Sequence, residues 1–362
     1  MNKVLLALPF LITFAFAAPP IEGGKSAPMS SFDYVDIQKL ELAGGNCTGT
    51  KVSPTLILTA AHCVSTVERK LYSQTLNAGY MIPSLGLVTN VTIHPKYKEL
   101  SIRRAENPKD KIVKKLATLY DVAFIEVKER ATKRSLPYPQ IISPANTPSK
   151  RKNVELAGYG DQKMIWDGSR FQMSDSTSSI RIAENDWVDC PINYQNQSLD
   201  ELAALSKNIE QFLSIRARRV HTIVNSNEEV ITDGKGMVLS GDSGSPALER
   251  DSQNNFIISG VASNIVTFDD DSGEAKFEIE VDGKIVARQS IDEMPDNWGY
   301  AKKSDVSFPQ IMEKIKEQDL MTSEGELKPG VTIKRSYTRY TRGNFADLSH
   351  PENQTFIQSI MK

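Results

Sequence analysis

Short apolar runs dominate the first half of the chain. Within Asp33–Leu42, apolar side chains recur at Val35, Ile37, Leu40 and Leu42 among polar ones. Thr55–Ala60 (TLILTA), Leu85–Pro95 (LGLVTNVTIHP) and Asp121–Val127 (DVAFIEV) are β-branched or near-continuous apolar stretches, the second closed by a proline. Strands this short, spaced by Gly, Pro and Asn, predict an all-β barrel or sandwich. Lys276–Ser290 reads as a hairpin, because Asp282-Gly283 supplies the positive φ that a tight turn requires.

Helical periodicity shows at two places. Ser198-Leu199-Asp200-Glu201 forms a capping box, after which Leu202, Leu205, Ile209, Phe212 and Leu213 share one face. A second helix is expected from about Ser307 to Gln318, with Phe308, Ile311, Met312 and Ile315 as its stripe. Both stripes read as core-packing faces. No repeat appears at a solenoid period. The 319–362 tail is polar, carries the cluster IKRSYTRYTRG (Ile333–Gly343), and reads as a C-terminal extension.

The N-terminus changes the compartment. Lys3 flanks an apolar run from Val4 to Phe16, and Ala15-Phe16-Ala17 is a small-x-small cleavage site. The run is too short to span a bilayer, so residues 1–17 are expected to be a signal peptide. The mature protein is then expected to be secreted or periplasmic and free of the membrane. Ala18-Pro19-Pro20 is left as a short leader before Ile21-Glu22-Gly23-Gly24. That stretch is either a flexible leader or a new N-terminus made by cutting after Pro20. With 43 basic and 45 acidic residues, the net charge of −2 gives no reason to expect a nucleic-acid partner. The 3 cysteines, Cys47, Cys63 and Cys190, lie in a chain expected to be exported, where disulfides form; an odd count leaves one thiol over.

Candidate chemistry sits in three segments. LTAAHCV carries His62, LYDVAFIEV carries Asp121, and LSGDSGSPAL carries Ser243. A serine hydroxyl is a weak nucleophile until an imidazole takes its proton. The imidazole in turn needs a carboxylate to fix its tautomer. The G-x-S-x-G elbow of α/β-hydrolases is excluded twice: Ser245 stands at its fifth position, and the order here is His, Asp, Ser.

These motifs, in this order, resemble those of the trypsin/chymotrypsin-like serine endopeptidases: Thr59-Ala60-Ala61-His62-Cys63, Asp121-Val122-Ala123 and Gly241-Asp242-Ser243-Gly244-Ser245-Pro246. The resemblance covers roughly 21 to 318. It implies two six-stranded antiparallel Greek-key β-barrels, about 21–135 and 136–318, with a C-terminal helix and insertions. The triad would lie in the cleft between them. WGYAKKSDVSFPQIMEKI resembles the family's final strand and helix, and Ala157–Gly160 a strand of the second barrel.

Carried over residue by residue, the resemblance implies that Ser243 is the nucleophile, His62 the general base and acid, and Asp121 its orienter. Gly241 and Ser243 would supply the oxyanion-hole N–H groups. Ile21, 26 residues before Cys47 and 41 before His62, would be the activated N-terminus, its ammonium paired with Asp242. Cys47 and Cys63 would form a disulfide, leaving Cys190 as a buried free thiol. Met237, six positions before the nucleophile, would floor the substrate pocket, with Ser263, Asn264 and Ile265 as one wall. An uncharged floor predicts no preference for basic side chains. Ser263 would lie beneath the Asp121 carboxylate.

The remaining expectations are a monomer acting on protein or peptide substrates, with no metal or organic cofactor. A non-catalytic binding protein on the same scaffold is the alternative, weakened by the presence of all three triad residues. IHPKY around His94 resembles a surface turn, and His221 and His350 read as ordinary polar residues. Arg103–Lys115 is a basic insertion.

Overall fold

The computed structural model describes residues 25–26, 34–42, 45–65, 78–106, 111–128, 137–147, 153–160, 164–166, 171–173, 180–189, 213–225, 227–232, 235–269, 275–291, 313 and 315–362. The chain first runs through β1 (Lys25–Ser26), β2 (Ile37–Leu42), β3 (Gly45–Lys51), β4 (Leu56–Thr59) and the one-turn helix α1 (Ala61–Val64). Then follow β5 (Met81–Ile82), β6 (Gly86–Ile93), α2 (Pro95–Glu106), α3 (Lys111–Leu119), β7 (Ala123–Val127) and β8 (Gln140–Ile141). The second half holds β9 (Asn153–Gly158), β10 (Met164–Trp166), β11 (Phe171–Met173), β12 (Arg181–Asp189), β13 (Leu213–Val224) and β14 (Asn227–Thr232). It ends with β15 (Pro246–Arg250), β16 (Phe256–Asp269), β17 (Ala275–Val281), β18 (Lys284–Ile291), β19 (Val331–Asp347) and α4 (Pro351–Ile360).

Two barrel-like sheets result. The first is antiparallel, in the order β2-β3-β4-β7-β6-β5. Its ends approach through Ser84, whose hydroxyl donates to the Lys39 carbonyl at 2.9 Å. Ile37, Leu40, Ile57, Leu58, Phe124 and Ile125 fill it. The second closes on itself through six strands, because β13 pairs with both β12 and β19 while β19 also pairs with β16. The ring is completed by β16–β15, β15–β9 and β9–β12. Leu156, Trp187, Ile215 and Phe345 form its interior. The indole N–H of Trp187 donates to Glu249 Oε1 at 2.9 Å, which satisfies a polar atom that would otherwise be costly there.

The front strands form where alternation places them, although Val35 precedes β2 and is exposed. The expected hairpin is β17–β18, turning at Asp282 (φ 48°) and Gly283 (φ 78°). It is joined to the second sheet through β17–β19.

Three expectations need correction. The 319–362 segment is not an appended extension: it supplies β19 and α4, so the second barrel does not end at Gln318. Accordingly, the closing strand and helix of the described fold are Val331–Asp347 and Pro351–Ile360. Of the segment likened to them, Trp298–Ile315, only Glu313 and Ile315 are described; both are helical, as are Lys316 and Glu317 beyond it, and Ile315 is buried against Ile279 and Val331. Leu213 begins β13 rather than continuing a helix; the rest of that expected helix lies outside the described residues. Within the basic insertion, Arg103–Glu106 end α2 and Lys111–Lys115 begin α3, where Val113, Leu116 and Ala117 join the first core. Finally, His94 and His350 are buried, not surface polar residues.

The last correction follows from how α4 docks. Phe356 packs on Phe124 (5.8 Å between ring centroids) and on His94 (4.8 Å). Asn353 donates to the carbonyls of Leu119 (2.9 Å) and Asp347 (2.7 Å), and Gln354 to those of Ile142 and Leu348 (2.6 Å each). The helix thus satisfies backbone groups of both barrels.

Candidate active site

His62 sits in α1, directly after β4. Asp121 lies in the turn between α3 and β7. The structure brings them together: His62 Nδ1 is 2.7 Å from Asp121 Oδ2, and the His62 backbone N–H donates to Oδ1 at 2.8 Å. An ionised carboxylate only accepts, so Nδ1 carries the proton and Nε2 is left as the basic nitrogen. Asp121 is almost wholly buried, while the His62 ring is about a quarter exposed (side-chain values 3% and 26%). From the other barrel, Ser263 donates its hydroxyl to Asp121 Oδ2 at 2.5 Å. Each Asp121 oxygen is therefore engaged, and the imidazole is held in one orientation.

Ser243 lies on the loop before β15. Its carbonyl accepts the Thr48 N–H at 2.8 Å, and its hydroxyl has no hydrogen-bond partner among the described residues. Catalytic hydrogen bonds in substrate-free sites are often long and tighten once substrate is seated. Gly244 takes φ +84°, and a Cβ there would run into Thr59 Oγ1 and the Thr48 carbonyl and reach within 2.9 Å of Ala60 N. Only glycine lets the Ser243 loop pass so close to β3 and β4. Gly241 (φ +86°) and Ser243 offer backbone N–H groups with no acceptor among the described residues.

Asp242 is fully buried. Its carboxylate accepts the N–H of Gly160 at 2.7 Å and of Leu239 at 2.9 Å. A Cβ on Gly160 would collide with the same carboxylate. Ile21 and Cys190 lie outside the described residues, as does the segment expected to be a signal peptide. Cys47 and Cys63 form a disulfide. Their sulfurs lie beside His62, but oxidised sulfur is not a thiolate ligand, so this trio holds no metal.

Met237 is fully buried, and Ile265 packs against the same cluster. A Cβ on Gly343 of β19 would meet Met237 Sδ at 3.3 Å and Val238 Cγ2 at 2.7 Å. Gly343 is thus a neighbour of the expected pocket that its sequence does not announce, because it lies in the polar stretch that forms β19. Asn264 clasps three elements. It donates to Thr118 Oγ1 of α3 at 2.7 Å and accepts from Asn344 of β19 at 2.6 Å, which also accepts from Ser214 at 2.9 Å. Ser263 and Asn264 together tie β16 to the turn that carries Asp121.

Behind Asp121 lies a second polar cluster. Tyr120 donates to Glu352 Oε2 at 2.5 Å, Lys96 pairs with the same carboxylate, and His94 stacks on the Tyr120 ring at 5.0 Å. His350 packs edge-on to Tyr120 at 5.8 Å. Burial pushes His94 down to about 4 and lowers His350 as well, despite the nearby Glu352. Burial works against ionised Glu352, but hydrogen bonds from Lys96 and Tyr120 prevail and hold it below its ordinary value. Among the described residues, no helix is long and apolar enough to cross a membrane.

A protein-family model described as Trypsin matches residues 21–283, well over half of the 362-residue chain. The match begins at Ile21 and stops short of β19 and α4, which complete the fold.

Proposed function

The chain belongs to the trypsin family, and from that premise we propose that it is a secreted serine endopeptidase acting through Ser243, His62 and Asp121. A serine protease-type function and protein substrates go with the family. The observation that carries the finer reading is the Asp121 carboxylate, which receives His62 Nδ1–H, the His62 N–H and the Ser263 hydroxyl at once.

In this reading Ser243 Oγ attacks the scissile carbonyl carbon while His62 Nε2 takes its proton. The carbonyl oxygen becomes an oxyanion and accepts hydrogen bonds from the N–H groups of Gly241 and Ser243. The C–N bond then breaks, and the leaving amine takes the proton from His62. An ester on Ser243 remains. Water attacks that ester, His62 accepts its proton and returns it to Ser243 Oγ, and the acid product leaves. Asp121 stabilises the imidazolium in both halves. Losing one oxyanion donor in such a site costs on the order of 10²–10³ in rate.

Activation is proposed to follow release of Ile21, whose ammonium would join the buried Asp242 carboxylate. The spacing from Ile21 to Cys47 and His62 and the burial of Asp242 support this. Met237 offers no charge, so the proposed specificity is not for Arg or Lys. Ile265 favours small or medium apolar side chains. The test is digestion of an unfolded protein, with mapping of the cleaved bonds. Cleavage that is lost in Ser243→Ala, at sites other than after Arg and Lys, is the expected result. Unchanged cleavage by Ser243→Ala overturns the reading.

A further inference from the structure

Gly241 takes φ +86°, in a region glycine enters and leaves without steric cost. Its own backbone therefore does not fix the loop that bears the two candidate oxyanion donors. Thr48, fully buried in β3 of the first barrel, does so from outside. Its hydroxyl donates to the Gly241 carbonyl at 3.1 Å, and its N–H donates to the Ser243 carbonyl at 2.8 Å. One residue thus holds both carbonyls that flank Asp242. The Gly241–Asp242 peptide is pinned at its other end by the Asp242 N–H on the Leu239 carbonyl at 3.1 Å.

The hydroxyl's direction is determined too. The Tyr159 N–H donates to Thr48 Oγ1 at 3.2 Å, so the oxygen is occupied as an acceptor and its hydrogen is left for Gly241. Thr48 is itself anchored. Its carbonyl accepts the Thr59 hydroxyl at 2.9 Å, and its neighbour Cys47 is bonded to Cys63, beside His62.

We propose that Thr48 is a positioning residue of the oxyanion site: its side-chain hydroxyl clamps the Gly241 carbonyl and so limits rotation of the Gly241–Asp242 peptide, which links the two N–H donors of Gly241 and Ser243. This role rests on the endopeptidase reading above. Removing the hydroxyl leaves the Gly241 carbonyl and the Tyr159 N–H without this partner. The main-chain bond from Thr48 to Ser243 stays. The loss therefore falls on the oxyanion and not on substrate affinity.

The test uses the full secreted chain with Thr48→Val, Thr48→Ala and Thr48→Ser. Three quantities are measured: kcat and KM on a peptide ester, inhibition by a peptide aldehyde, and the melting temperature. The aldehyde carbon bonds Ser243 Oγ, and its oxygen occupies the oxyanion position. Thr48→Val should lower kcat by about tenfold or more and weaken aldehyde inhibition by a similar factor, with KM within about twofold. Thr48→Ser should retain parental kcat within about threefold, because it keeps the donor. If Thr48→Val does not fold, the smaller Thr48→Ala decides in its place.

A folded Val or Ala variant with kcat within about twofold of parent overturns the proposal while the endopeptidase reading stands. A loss that tracks the melting temperature and leaves aldehyde affinity per folded molecule unchanged overturns it too. A parent chain cut to begin at Ile21 that neither hydrolyses esters nor reacts at Ser243 overturns the endopeptidase reading, and this role with it.

Discussion

Ser263 on the second barrel donates its hydroxyl to Asp121 on the first at 2.5 Å, on the same oxygen that faces His62 Nδ1. Two barrels are thereby joined at the carboxylate that would orient the base. A hydrogen bond to a charged group is worth about 1.5–3 kcal/mol. Ser263→Ala should therefore lower kcat/KM by roughly tenfold or more, and should also lower the melting temperature, because the buried Asp121 carboxylate loses a donor. Steady-state kinetics on a peptide ester checks this; parental kcat/KM in the variant would contradict it.

Gly244 cannot carry a side chain. Its positive φ and the positions of Thr59 Oγ1, the Thr48 carbonyl and Ala60 N leave no room for a Cβ. Gly244→Ala should cost several kcal/mol or displace Ser243, since backbone, not a flexible side-chain end, must move. Thermal unfolding and active-site titration together should show a lower melting temperature, a lost titre, or both.

Acid should loosen α4. His94 is held near 4 in the fold, against about 6.5 when exposed, so the unfolded chain binds the extra proton between those values. Its contribution is complete above about pH 6.5 and is lost as pH falls toward 4, on the order of 3 kcal/mol. His350 and Glu352 are both shifted downward as well, so they act in the same direction; Lys96, Tyr120 and Phe356 are the other groups around them. Melting temperature measured from pH 7 to pH 4 should fall more steeply for the parent than for His94→Leu. Parallel curves would assign the acid sensitivity elsewhere.

A chain ending at Gln318 should not fold. It would lack β19, which pairs with β13, β16 and β17, and α4, which covers Phe124 and His94. Phe356→Ala alone should cost about 3–5 kcal/mol. Circular dichroism of the truncated chain is expected to show no cooperative melt, and a parental melt would contradict the architecture.

What was legible in the sequence was mostly local. The alternating run that became β2, the short apolar runs that became β4, β6 and β7, and the Asp282-Gly283 turn depend on neighbours a few residues away. The candidate site was legible because His62, Asp121 and Ser243 each sit in a distinctive short motif. β19 was not, because its own pattern is polar and the strands it pairs with, β13, β16 and β17, lie far away in the chain. The Thr48 hydroxyl and Gly241 are 193 residues apart, and Lys96 and Glu352 are 256 apart. No local pattern announces such pairs. α3 was masked by its lysines, although Val113, Leu116 and Ala117 do fall at helical spacing.

The most direct measurement of the central claim is fluorophosphonate labelling of the protein, with its N-terminus determined and Ser243→Ala as control. Labelling of chains that begin at Ile21, abolished by Ser243→Ala, is the predicted result, because only a serine activated by its imidazole reacts readily. Chains that begin at Ile21 and do not label would contradict the account.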